Sequence, residues 1–259
     1  MKRIVEWIGG FALIAFSFYF TDRVSLLVAS KSDLMLEIRE VSKEYKEDAI
    51  DAKINKNDNT IVPGKYGRKV DENESYLSMH SFGVFNENYL VYTPIKPSKS
   101  IEENKDKYIT SGNESNREVS LIIDNNPDII KYLESSNIKF DLIASLKSDI
   151  QSTSIEYING ANDPSDFKAI NSKVSSSKKI CLKDYSNENL CLKYKYYILM
   201  PLLKLNSVNI SEIKNKISGG SIILISSTSK LEHIKLLLNE IYYKDLDIVY
   251  VSDLINEKR

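Results

Sequence analysis

The chain has 259 residues, with 35 Lys+Arg against 36 Asp+Glu and a formal charge of −1. That balance excludes the concentrated basic face on which nucleic-acid binding depends, while 42% hydrophobic and 27% charged residues are ordinary for a domain with a buried core. The two histidines, His80 and His233, are too few for a centre built on several imidazoles, and no GxGxxG or GxxxxGK(S/T) string offers a phosphate-cradling loop.

At the N-terminus, Ile4 to Phe20 reads IVEWIGGFALIAFSFYF, with Glu6 as its one charge near the edge. At 1.5 Å per residue the segment reaches ~25 Å, near the short limit for a membrane span. Trp7 and Tyr19 lie near its two ends, where aromatic belts sit, and Lys2 and Arg3 precede it. The positive-inside rule then leaves the N-terminus in the cytoplasm and the rest outside. Residues 1–23 are therefore expected to be a single uncleaved anchor in the cell membrane. Two rivals are weaker. A signal peptide cut near Val28-Ala29-Ser30 would be interrupted by Asp22 and Arg23, and a buried core helix would need a polar face that is absent between Trp7 and Phe16.

From Val24 to about Ile54 there is no Pro or Gly, and apolar residues fall at Val24, Leu27, Leu34, Ile38, Val41, Tyr45 and Ala52. The spacing fits an a/d heptad frame and predicts a helical stalk over 24–58, which either pairs as a parallel homodimer or packs on its own domain. A small α+β pre-domain and linker follow over 59–116. Turn signals stand at Pro63-Gly64 and Gly67. Asp71, three residues before Glu74, predicts a capped short helix over DENESYLSMHSFG, and NENYLVYTPIKP reads as a strand ending at Pro94. Residues 98–117 read as a polar linker. His80, inside the short helix, reads as a surface or packing residue. Tyr66, Tyr76, Phe82, Phe85, Tyr89 and Tyr92 suit a core better than a sugar-stacking platform.

From Arg117 onward, β-rich runs alternate with helical ones. Strands are predicted at 118–124, 139–145, 154–160, 178–183, 195–201, 221–226 and 247–251. The clearest helix, KLEHIKLLLNEIYY, carries Leu231, Ile234, Leu238 and Ile241 on one stripe and places His233 on a helix, in a structural role. Several strands are near-continuous apolar runs, as strands buried on both faces require. The fold class is α/β: a parallel βα repeat, open or curled into a barrel, with its functional positions at the carboxyl ends of the strands. Cys181 and Cys191 are either a disulfide, which an exported chain can form, or two buried thiols.

The strand ends carry a resemblance. VSLIIDNNP (119–127) is similar to VxLTFDDGP, IEYINGANDP (155–164) to HEIGNHSxxH, and GSIILISS (220–227) to GSIILLHD. The tail DIVYVSDLI (247–255) looks like a closing strand and helix. These are strings of the polysaccharide deacetylases with a NodB-type domain, and the resemblance covers residues 117–259. It implies a deformed (β/α)7 barrel in which a divalent metal, held by one Asp and two His, polarises the acetamide and a water. A second Asp serves as base and a further His as acid.

Carried onto this chain, the base position is Asp124, which is retained. The metal-ligand Asp position is Asn125, the two ligand histidines fall on Gly160 and Pro164, and the acid position is Ser226, with Ser227 beside it. The Arg-containing third motif has no match in KKICLKDYSNE. The Asp-His-His metal triad is thus missing, and these six residues mark a vestigial pocket with no metal and no cofactor. Together with the expected anchor, the resemblance leads to a membrane-anchored, extracytoplasmic pseudoenzyme that binds cell-envelope glycan, peptidoglycan among them, or a partner protein. One alternative is an active carbohydrate deacetylase or hydrolase with a rewritten site using Asp124; the other is a structural coiled-coil protein of the envelope. Asp124 can also simply cap the helix that follows it.

Overall fold

The computed structural model describes residues 10–11, 13, 15–17, 19, 30–144, 155–172 and 178–258. In chain order the elements are α1 (Asp33–Ser42), β1 (Lys53–Asn55), β2 (Thr60–Val62), β3 (Gly67–Val70), α2 (Glu72–Met79), β4 (Tyr92–Ile95), β5 (Tyr108–Ile109) and β6 (Glu118–Ile123). They continue as α3 (Pro127–Ser135), β7 (Phe140–Ala144), β8 (Ile155–Asn159), α4 (Pro164–Asn171), β9 (Ile180–Leu182), α5 (Glu188–Lys193) and β10 (Tyr197–Leu199). The last are β11 (Leu203–Leu205), α6 (Ile210–Lys216), β12 (Ile222–Ile225), α7 (Leu231–Tyr243), β13 (Asp247–Ile248) and α8 (Val251–Leu254). They fall into two compact units.

The smaller unit draws on Met1–Ala49 and Gly67–Lys96. Ser32 caps α1 by accepting from the Met35 amide, and α1 turns Leu34, Met35 and Ile38 into a small core with Val70, Met79 and Leu90. Asp71 caps α2 through the Glu74 amide at 3.1 Å, as its sequence predicts. β3 and β4 pair antiparallel, and a Cβ on Gly67 would lie 2.2 Å from the Glu47 carbonyl oxygen, so only glycine allows that approach. Tyr76, Phe85 and Tyr92 pack on the core, whereas Phe82 and Tyr89 stay exposed and face each other. His80 ends α2 at the surface, stacked on Tyr76.

The stalk is a correction. The helix stops at Ser42, and Glu47 and Ile50 already form β-bridges with Arg68 and Lys65. Ile50, Ala52 and Ile54 alternate with polar residues, a period of two that overrides the heptad frame and makes β1 a strand. A dimer zipped along 24–54 therefore lacks its continuous helix. Residues 20–29 lie outside the described residues, as does most of the expected anchor. Of that segment, residues 10, 11, 13, 15–17 and 19 are helical, with Phe11, Leu13, Phe16 and Tyr19 all exposed. Among the described residues no helix is long and apolar enough to cross a membrane.

The larger unit comprises Ile50–Tyr66 and Pro97–Arg259. Its sheet runs β1-β2-β5-β10-β9-β8-β7-β6-β12-β11, with β13 beside the start of β6. All its pairings are parallel except β1 with β2. The parallel repeat expected after Arg117 is present. Among the described residues β1 and β11 do not pair, so the sheet is a curled half-barrel. Residues 50–58, expected in the stalk, and residues 59–66 and 97–116, expected in a pre-domain and linker, belong to the unit that holds this sheet. Ile61, Ile101 and Ile109 are buried in its core, and the polar residues around them hide that role in the sequence.

Alternation along each strand sets two faces. On the outer face Leu121, Ile123, Phe140, Leu142 and Tyr157 pack against Ile129 and Leu133 of α3, Phe167 of α4 and Leu237 and Ile241 of α7. On the inner face Ile122, Ile158, Leu182, Tyr197, Leu199 and Leu224 enclose Val251, Leu254 and Ile255 of the C-terminal segment. Burial on both sides explains why these strands read as unbroken apolar runs. Two inner-face polar groups hold the C-terminal segment. Ser120 donates its hydroxyl to the Val249 carbonyl at 2.7 Å, and the fully buried Asp141 accepts the Val251 amide at 2.9 Å.

Candidate functional site

The inner-face series extends past the ends of the strands. On β6 it runs Ser120, Ile122, Asp124; on β8 Glu156, Ile158, Gly160; on β12 Ile222, Leu224, Ser226. Asp124, Gly160 and Ser226 therefore leave their strands at the carboxyl-terminal rim, on the side that faces the interior. The Asp124 amide donates to Ile225 at 2.9 Å, which sets β6 and β12 side by side at this level.

Asp124 does not cap α3. Asn126 does, accepting the Ile129 amide at 3.2 Å and donating its side-chain amide to the carbonyls of Ser227 and Ser229 at 2.9 and 3.1 Å. This ties the loop after β6 to the loop after β12 and leaves the Asp124 carboxylate half-buried on the rim. Its partner is Tyr185, whose hydroxyl lies 3.4 Å from Asp124 Oδ2, a long hydrogen bond. Burial, and then the Asp124 charge, raise the Tyr185 phenol above its ordinary range. Tyr185 follows β9, three strands away from β6, a span of about 14 Å across a flat sheet. The contact crosses the interior and is a direct consequence of the curl.

The other predicted positions differ from Asp124 in kind. Asn125 is exposed, with a positive φ of 29°. Gly160 has no side chain. Pro164 is the first residue of α4, an exposed place that its missing N–H suits. Asp163 caps that helix, accepting from Ser165 and Asp166, and these bonds lower its carboxyl. Ser226 bonds Thr228 through both the hydroxyl, at 2.9 Å, and the Thr228 amide, at 3.1 Å, so it is occupied in shaping its own loop. Ser227 is exposed.

Neither histidine is at the rim: His80 is in the smaller unit and His233 is in α7, on the outer side of the sheet. Among the described residues no cluster of three His, Cys, Asp or Glu side chains is arranged to hold a metal ion. The donor set at the three ligand positions is one neutral amide, a glycine and a proline, which does not fit the divalent ion of the deacetylases. Cys181 of β9 and Cys191 of α5 form a disulfide, with their Cα atoms 6.2 Å apart, on the outer side of the sheet.

Two residues important to the rim are absent from the motif comparison. Tyr185 lies in the stretch without an Arg-motif match, and Ile143, near the end of β7, reads as a core residue. The strand-end rule was the signal available for Tyr185, which stands three residues past the end of β9.

No protein-family profile matches the chain. The uncharacterized protein YlxY of Bacillus subtilis (strain 168) is 35% identical over 97 residues, which is 38% of this chain and 30% of that relative's length. Among solved structures, BA3943, described as a CE4 family pseudoenzyme from Bacillus anthracis, matches with a TM-score of 0.57 at 19% identity, covering 88% of this chain and 97% of that one. A BA3943 mutant described as having restored enzymatic activity matches with the same TM-score of 0.57 at 20% identity, covering 87% and 99%. The chain therefore has the fold of the CE4 family.

Proposed function

We propose that the protein is a membrane-anchored, extracytoplasmic deacetylase-like protein without deacetylase chemistry, which acts by binding cell-envelope glycan. The observation that carries this is the rim itself: Asp124 is kept at the base position, while the three ligand positions hold Asn125, Gly160 and Pro164. A water is activated by an ion or by a well-placed acid–base pair. With Ser226 at the acid position, Asp124 lacks both partners.

What remains suits sugar recognition. Asn125 and Ser227 are exposed and supply neutral donors and acceptors, and Tyr185 supplies an aromatic face beside a carboxylate. Anchoring is supported by the apolar run Ile4 to Phe20 and by the exposure of Phe11, Leu13, Phe16 and Tyr19. Such a helix needs a non-aqueous surrounding.

The test is co-sedimentation of the detergent-solubilised full chain with purified cell wall. Retention is expected, weakened about 3–10-fold by Tyr185→Ala through loss of ring contact. Retention no greater than that of an unrelated domain would remove the glycan reading. Acetate release from N-acetylated oligosaccharides, abolished by Asp124→Asn, would replace it with an active enzyme using a rewritten site.

A further inference from the structure

Gly160 differs from the other altered positions in what surrounds it. Its backbone has an ordinary φ, so any L-residue is conformationally acceptable there. Space is the obstacle: a Cβ built on Gly160 would lie 2.4 Å from Ile143 Cγ2, while the next atom, the Ala144 carbonyl oxygen, is at a comfortable 3.5 Å. Ile143 pairs with Ile158 across β7 and β8, and its side chain lies with the inner-face cluster. It is β-branched, so its Cγ2 cannot swing away without leaving its rotamer or moving the strand.

We infer that Ile143 stands where the side chain of the first ligand histidine would leave the backbone, so that this ligand position is closed by an apolar group as well as stripped of its donor. The inference rests on the deacetylase-like reading and extends it. Gly160 and Ile143 form a coupled pair, and restoring donors at Asn125, Gly160 and Pro164 does not recreate an ion site while Ile143 stands. Asn125 and Pro164 impose no such condition. Aspartate tolerates the left-handed backbone nearly as well as asparagine, and the first turn of a helix accepts residues other than proline.

Two measurements on the full chain test this. The first is a thermal double-mutant cycle. Gly160→Ala is expected to lower the melting temperature by about 3–10 °C through overpacking. In Ile143→Ala the same substitution is expected to cost much less, because Cγ2 is gone. Equal shifts in the two backgrounds would overturn the steric coupling, and the small alanine keeps the comparison free of the larger clash that a histidine brings.

The second is Co(II) titration followed by visible absorption. The variant Asn125→Asp/Gly160→His/Pro164→His is compared with the same triple change plus Ile143→Ala. The fourfold variant is expected to bind at least about tenfold more tightly, a difference of about 1.4 kcal/mol. Equal binding by both, or binding by neither, would overturn the inference. The proposed function fails separately, by loss of cell-wall retention in the unmodified protein.

Discussion

On β7 and β8 the inner face begins with Asp141 and Glu156, register neighbours, and ends with Ile143 and Gly160. At the first end a carboxyl is sealed from solvent, and desolvation raises the Asp141 pKa well above its ordinary value. The chain bears that cost, and the group holds the Val251 amide and with it the start of α8. Glu257 does the same work nearby, accepting the amides of Gly64 and Ile101, and burial raises its pKa too. At the second end, where a deacetylase concentrates charge, the same strands present a methyl group and a glycine. Carboxyl groups are retained where they fasten chain segments together, and on these two strands none stands at the rim.

Breaking the fastened end should cost the most. Glu257→Ala leaves two buried amides without an acceptor and is expected to destabilise the chain by about 2–4 kcal/mol, read by urea denaturation. Removing the Cys181–Cys191 link by a double serine substitution comes next, at roughly 2–3 kcal/mol for a loop of that length. Asp141→Asn sharpens the comparison through pH. A carboxyl whose folded-state pKa is raised gives stability that is complete below its unfolded value, about 3.9, and is lost as pH rises through the folded one. Denaturation midpoints of the unaltered chain should therefore fall on going from pH 5 to pH 8. Asp141→Asn keeps the acceptor for Val251 and should flatten that fall by about 1 kcal/mol. A steeper profile in the variant would contradict the assignment. At the rim, Asp124→Asn is expected to change stability by less than about 0.5 kcal/mol, as a half-exposed group with one long hydrogen bond should.

The parallel repeat was legible because strands buried on both faces must be apolar throughout, and LIID, SIILIS and KYYILM announce that plainly. Short β5 and β11 leave no signal in the sequence, since two or three residues cannot show a period. The sequence points to a longer stalk for a physical reason: Leu34, Ile38, Val41 and Tyr45 have helical spacing, and α1 does use the first two, but no Gly or Pro marks its end. Period-two alternation at Ile50, Ala52 and Ile54 was the contrary signal. Of the site, Asp124, Gly160 and Ser226 were recoverable from strand-end position. The strand-end rule also reaches Tyr185, though not its partner, and it does not reach Ile143. The first acts across a curled interior that a linear motif cannot represent, and the second is an isoleucine in a strand, identical in sequence to any core residue.

The most direct test of the central claim is an acetate-release assay on the full chain, supplied with Zn(II) or Co(II) and an N-acetylated amino-sugar oligomer. The structure leads to an expectation of no acetate above the background of the heat-unfolded protein at any metal concentration. Metal-dependent release that disappears in Asp124→Asn would show that the rim still performs the chemistry and would contradict the account.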